Sequence, residues 1–125
     1  MIFDKSIPIY VQIEEYIKSN IINGELKPSE KLPSTRKLAD ELKVNINTVC
    51  KAYYKLKLDG IIHVERKGLG YFVTSNNDKI NKLKGENLEK VMTFFINNMM
   101  NLKISNDEII YMVKQRIVYN NITTS

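Results

Sequence analysis

The sequence has 125 residues, 43 % of them hydrophobic, with 19 Lys and Arg against 14 Asp and Glu and a formal net charge of +5. This suffices for one modest core, either a single domain or one small domain with an appendage, and excludes disorder by composition. No apolar run approaches the roughly 20 residues of a membrane span and the start, MIFDKSIPIY, lacks a secretory pattern, so a cytoplasmic protein with no membrane partner is expected.

Cys50 is the only cysteine and His63 the only histidine, which excludes an intrachain disulfide and a zinc site of the usual Cys/His kind. No catalytic motif accompanies them. The chain is read as a non-enzyme, without metal or cofactor.

The first predicted element is a helix over about 8–22. Pro8 suits a first helical position with Ser6 as a nearby cap, Ile9, Ile13, Tyr16, Ile17 and Ile21 recur at helical spacing, and Asn23-Gly24 stops the run. GELKPSEKLPS follows, and its glycine and two prolines rule out a helix. Ser34 can cap a short second helix over 35–42, with Leu38, Ala39 and Leu42 inward. After the joint Lys43-Val44, a third helix is capped at Asn45, runs to about Leu58 and ends at Asp59-Gly60 as a left-handed stop. Ile61, Ile62 and Val64 form one strand, Arg66-Lys67-Gly68-Leu69-Gly70 a turn, and Tyr71-Phe72-Val73-Thr74 a second strand.

SNNDK (75–79) has linker composition. Beyond it, Leu88, Val91, Met92, Phe95, Ile96 and Met99 belong to the apolar face of a long helix over 78–101. Ser105-Asn106-Asp107 caps a last helix over 106–119 with Ile109, Ile110, Val113 and Ile117 apolar, and the tail NNITTS is expected to fray. One helix pair cannot bury such stripes alone, so both helices are expected to dimerise. A Met-lined groove for an apolar small molecule is the alternative, although no effector is specifically indicated.

Charge is concentrated. Between Lys31 and Lys57 seven basic residues meet only Asp40 and Glu41, so the whole net charge lies in this stretch and suits a polyanion. Three helices and a hairpin in this order describe a winged helix-turn-helix over 1–75, mainly α with a small β wing, followed by a two-helix dimerisation segment over 76–125. The third helix opens on Asn45-Ile46-Asn47-Thr48, poor helix formers with an isoleucine expected to be exposed. In such a unit this turn enters the major groove. Asn47 suits the adenine edge, Thr48 a hydrogen bond or a thymine methyl, and Ile46 that same methyl. Asn45 is either a cap only or a reader as well.

The stretch KLPSTRKLADELKVNINTVCKAYYKLKLDGIIHVERKGLGYFV resembles the DNA-binding domain of GntR-type bacterial regulators, whose pattern Leu-Pro-Ser-x-Arg-x-Leu-Ala, Val-Asn/Ser-x-x-Thr-Val, Leu-x-x-x-Gly and Gly-x-Gly-x-Phe-Val is met from Leu32 to Val73. The likeness covers about residues 7–74. Only about fifty residues follow the wing, as in the short YtrA-type branch, whose C-terminal helices dimerise and whose members commonly repress operons for ATP-driven exporters. Position in this frame assigns Arg36 to a phosphate or base edge and places Ser34 and Thr35 at a helix N-terminus that favours a phosphate. It assigns Lys51 and Lys55 to phosphates, and Arg66, Lys67, Gly68 and Gly70 to the minor groove, the glycines also making the turn. The family's usual Pro-Gly becomes Pro28-Ser29, a bend expected to carry some strain. Ile46 replaces an arginine found in parts of the family, which tilts the expected half-site towards A·T-rich DNA.

Three readings result: a homodimeric repressor on an inverted repeat of double-stranded DNA, an effector-responsive regulator with an apolar inducer between the C-terminal helices, and a winged-helix protein-interaction module.

Overall fold

The computed structural model describes residues 1–124 of the chain. These divide into two compact units, Met1–Gly85 and a second that begins at Glu86.

In the first unit α1 spans Ile9–Ile22, α2 Thr35–Leu42 and α3 Ile46–Leu58. Pro8 takes the N-cap position of α1, one residue earlier than expected, and no side chain caps this helix. Ser6 is unavailable for that role because its hydroxyl donates to Asp4 Oδ1 at 2.6 Å. Gln12 instead ties the chain start to α1, donating from Nε2 to the carbonyls of Asp4 and Ile7 and accepting from Asp4 N. Gly24, with φ +85°, ends the helix where the sequence requires.

Helix α3 is the centre of the unit. Val49, Ala52, Tyr53 and Leu56 on its inner face are fully buried, against Ile13, Ile17 and Ile21 of α1 and Leu38 and Ala39 of α2. The small Ala39 side chain permits close approach of α2. At the α2–α3 joint Lys43 takes a left-handed conformation, φ +56°, while Val44 N donates to Ala39 O at 3.0 Å. That bond satisfies one of the orphan carbonyls at the end of α2.

The hairpin is shorter than its β-forming residues suggested. Strand β1 is Ile62–His63 and β2 is Phe72–Val73, paired antiparallel as Ile62 with Val73 and His63 with Phe72. The α1–α2 connection adds a third layer of pairing to β2. Leu32 N donates to Tyr71 O and Val73 N to Glu30 O, both at 2.8 Å, and Lys31 bridges Phe72.

Helix α4 runs Asn77–Asn101 and α5 Asn106–Thr124. Asn76 Oδ1 caps α4, accepting from Asp78 N at 3.0 Å, and Leu83 is buried in the first unit's core with Ile80 packed on it. Within the second unit, Lys103 (φ +63°) ends α4, and Ser105 Oγ accepts from Glu108 N at 3.2 Å to start α5. Helix α5 continues to Thr124 through the tail expected to fray, because no glycine or proline stops it. Ser125 lies outside the described residues.

Ile109 is buried within the chain. By contrast Leu88, Val91, Met92, Val113 and Ile117 are exposed, whereas Phe95, Ile96 and Met99 are half-buried. Among the described residues no helix is long and apolar enough to cross a membrane.

Candidate nucleic-acid interface

The site begins with how α3 starts. Asn45 Oδ1 accepts the backbone N–H of Asn47 at 2.8 Å, so the Asn45 side chain is a working N-cap. The Asn47 carboxamide has no hydrogen bond among the described residues and is exposed. Asn47, Lys51 and Lys55 follow one another at four-residue spacing, all exposed, on the side of α3 opposite its buried face. Cys50 is exposed and Tyr54 is 57 % exposed. Thr48 is half-buried.

Ile46 corrects an expectation. It is half-buried and packs against the core cluster, so only part of its side chain remains on the surface. A residue at the first position of α3 sits where the helix enters the core, and its apolar side chain finds neighbours there.

Helix α2 opens in a similar manner. Ser34 Oγ accepts from Lys37 N at 3.1 Å, leaving Arg36 exposed and Thr35 half-buried. One buried side chain holds this start in register with α3. The Tyr53 hydroxyl donates to Pro33 O at 2.7 Å, and its ring meets Tyr71 edge-on, with centroids 5.3 Å apart at 88°. Tyr53 thus joins α3, the residue before the α2 cap and the wing. Burial, with Glu41 and Tyr71 nearby, pushes its phenol well above the ordinary range. The sequence marked Tyr53 only as core, since helical spacing does not reveal what a hydroxyl meets twenty residues away.

At the wing, Arg66, Lys67, Gly68 and Gly70 are all exposed. Leu69 N donates to Arg66 O at 3.1 Å, and the two glycines have φ of +88° and +89°. These conformations suit glycine, and the turn presents both cations to solvent. At its base the His63 ring stacks on Phe72, and His63 Nε2 lies 3.3 Å from Glu65 Oε1.

Two further features escaped the sequence. Lys51 Nζ sits 4.0 Å from the centroid of the Tyr10 ring, so α1 supports a cation of α3. Glu14, on the same helix, is buried, and desolvation raises its carboxyl above the ordinary 4.5 despite the opposing pull of Lys18 and Lys55.

The electrostatic result is simple. Among the described residues the ion pairs are Lys18 with Glu15 and His63 with Glu65, so none of the seven cations between Lys31 and Lys57 has an acidic partner in the chain. A surface of this kind is left for an external anion to neutralise. No group of side chains among the described residues could hold a metal.

The family model for bacterial regulatory proteins of the gntR family matches residues 9–73. The HTH-type transcriptional repressor YtrA of Bacillus subtilis is 45 % identical over 71 residues, 57 % of this chain and 54 % of its own length. A GntR family transcriptional regulator from Listeria monocytogenes superposes with a TM-score of 0.83 at 36 % identity, over 90 % of this chain and 98 % of its own. The AraR DNA-binding domain in complex with operator ORX1 matches with a TM-score of 0.52 at 32 % identity, over 54 % of this chain and 81 % of that one. With the capped start of α3, the glycine wing and the unpaired basic surface, these likenesses carry one conclusion: the chain belongs to the GntR family of DNA-binding transcription regulators, with a YtrA-like organisation.

Proposed function

We propose that the protein is a homodimeric repressor that binds an inverted-repeat operator. One observation carries the reading: Asn45 is consumed by capping while the next side chains along the same exposed face, Asn47, Lys51 and Lys55, are not bonded to any acid or amide of the chain. Asn47 then reads an adenine edge, with Thr48 and the exposed part of Ile46 beside it, and Lys51 and Lys55 meet phosphates. Ser34, Thr35 and Arg36 hold the flanking backbone, while Arg66 and Lys67 reach the minor groove from the glycine wing. The repressor assignment is supported by the name of the YtrA relative, and the short organisation supports an ATP-driven exporter operon as the target.

Dimerisation is supported by α5, where Ile110, Tyr111, Met112, Val113, Ile117, Val118 and Tyr119 are each at least 37 % exposed and lie on every side of the helix. So many exposed apolar side chains, although interleaved with Lys114, Gln115 and Arg116, favour burial against a partner. Leu88, Val91 and Met92 of α4 are exposed as well. In the second unit a cavity of about 240 Å³, lined by Phe95, Met99, Met112, Val113, Arg116 and Ile117, favours a second reading with an apolar inducer. That volume lies below the ~300–1,000 Å³ usual for ligand sites, so the dimer reading leads.

Selection from sheared genomic DNA at near-physiological salt tests the proposal. Enrichment of a single inverted repeat beside exporter genes is expected. Recovery of random fragments only would overturn sequence-specific repression, and enrichment of single half-sites would overturn the dimer.

A further inference from the structure

Lys31 belongs by sequence to the α1–α2 connection, 35 residues before the start of the wing turn at Arg66. The fold moves it to the wing. Its backbone bridges Phe72, and the bonds on either side, Val73 N to Glu30 O and Leu32 N to Tyr71 O, hold that register. Its side chain lies across Gly70, since a β-carbon built there would stand 3.2 Å from Lys31 Cε and 4.0 Å from Nζ. Gly70 therefore serves two purposes: it adopts φ +89°, and it leaves room for the lysine stem.

We propose that Lys31 is a DNA-backbone contact of the wing, extending the basic group of Arg66 and Lys67 with a cation from another part of the chain. This rests on the DNA-binding reading above. Three observations converge on it. The residue is exposed, it has no acidic partner among the described residues, and its main chain is fixed to the strand that leaves the wing turn. A lysine whose stem is laid along the backbone in this manner loses less freedom on meeting a phosphate than one projecting into solvent. As a point charge it would steady the wing without selecting a base.

The test uses the full chain and fluorescence anisotropy with two labelled duplexes, the selected operator and a scrambled one, between about 50 and 200 mM salt. Each phosphate contact contributes about 0.9 to the slope of log K against log salt, so loss of two symmetry-related contacts in Lys31→Gln should flatten the operator slope by about 1.8. Both duplexes should weaken by a similar factor, and Lys31→Arg should restore the slope. An unchanged slope in Lys31→Gln, even with lower affinity, would overturn the proposal, because a purely structural loss moves affinity without removing a phosphate contact. Failure of the unsubstituted protein to bind either duplex at any salt would instead overturn the DNA-binding reading on which it rests.

Discussion

Replacing Ser29 by glycine should stabilise the protein. Lys27-Pro28-Ser29-Glu30 closes a turn in which Glu30 N donates to Lys27 O at 3.0 Å, and Ser29 holds φ +67°. Proline followed by a positive φ is the pattern of a type II turn, whose third residue is best filled by glycine. The serine cannot relax, since Ser29 N donates to Val73 O at 3.0 Å and Glu30 O accepts from Val73 N, fastening the turn to β2. Its side chain is exposed with no hydrogen bond among the described residues, so glycine removes only the crowded β-carbon. Relief of a left-handed residue is worth ~1–2 kcal/mol, and the extra freedom of glycine in the unfolded chain returns about 0.4–1. The net gain is about 0.5–1 kcal/mol, or a rise of roughly 2–8 °C in Tm for a unit of this size. Urea unfolding at fixed protein concentration measures it, with an unchanged m-value showing that the unfolded state is the same. Ser29→Ala keeps the β-carbon and should stay within about 0.5 kcal/mol of the parent. Equal gains for alanine and glycine, or no gain for glycine, would refute the reasoning.

Further expectations concern the site and the core. Asn47→Ala should lose discrimination between operator and scrambled DNA by ~1–3 kcal/mol, whereas Lys55→Ala should weaken both alike; equal loss for Asn47→Ala in competition binding would remove its base-reading role. Glu14 is buried with a raised carboxyl, so the folded state holds its proton more tightly than the unfolded one, and its ionisation costs stability as pH rises above the ordinary 4.5. Glu14→Gln should therefore be more stable than the parent at neutral pH, with the advantage vanishing below that range; an advantage independent of pH in thermal melts would exclude this origin. A chain ending at Gly85 should fold as a monomer and bind the operator poorly. One ending at Ser75 loses the buried Leu83 and should be less stable by about 1.5–3 kcal/mol in urea. Full operator affinity in the Gly85 form would count against dimerisation.

The parts of this protein that could be read along the chain are those with local causes. Ser34 and Asn45 cap the helices they precede, and Gly24 and Gly60 supply left-handed stops at φ +85° and +75°. Each of these acts within a few residues of its own position, and the apolar spacing of α3 equally reports its own buried face. The order of helices and hairpin, with the motif residues from Leu32 to Val73, was enough to suggest the family. Strand lengths were less legible, because β-forming residues such as Val64 carry no information on where pairing stops. Pro8 and Ser6 show the same limit at α1, where Asp4 competes for the hydroxyl that could have capped it.

Composition, helical spacing and turn chemistry thus determined the elements, the basic stretch from Lys31 to Lys57 and the polar first turn of α3 at Asn45–Thr48. Tertiary structure alone decided that Lys31 lies across Gly70, that Lys51 rests over Tyr10, that Tyr53 links Pro33 to Tyr71, and that Glu14 is buried. The reason is physical. Propensity, capping and periodicity act over one or two turns of chain, whereas these four arrangements depend on which segments the core brings side by side, and that is set by packing of the whole unit around α3.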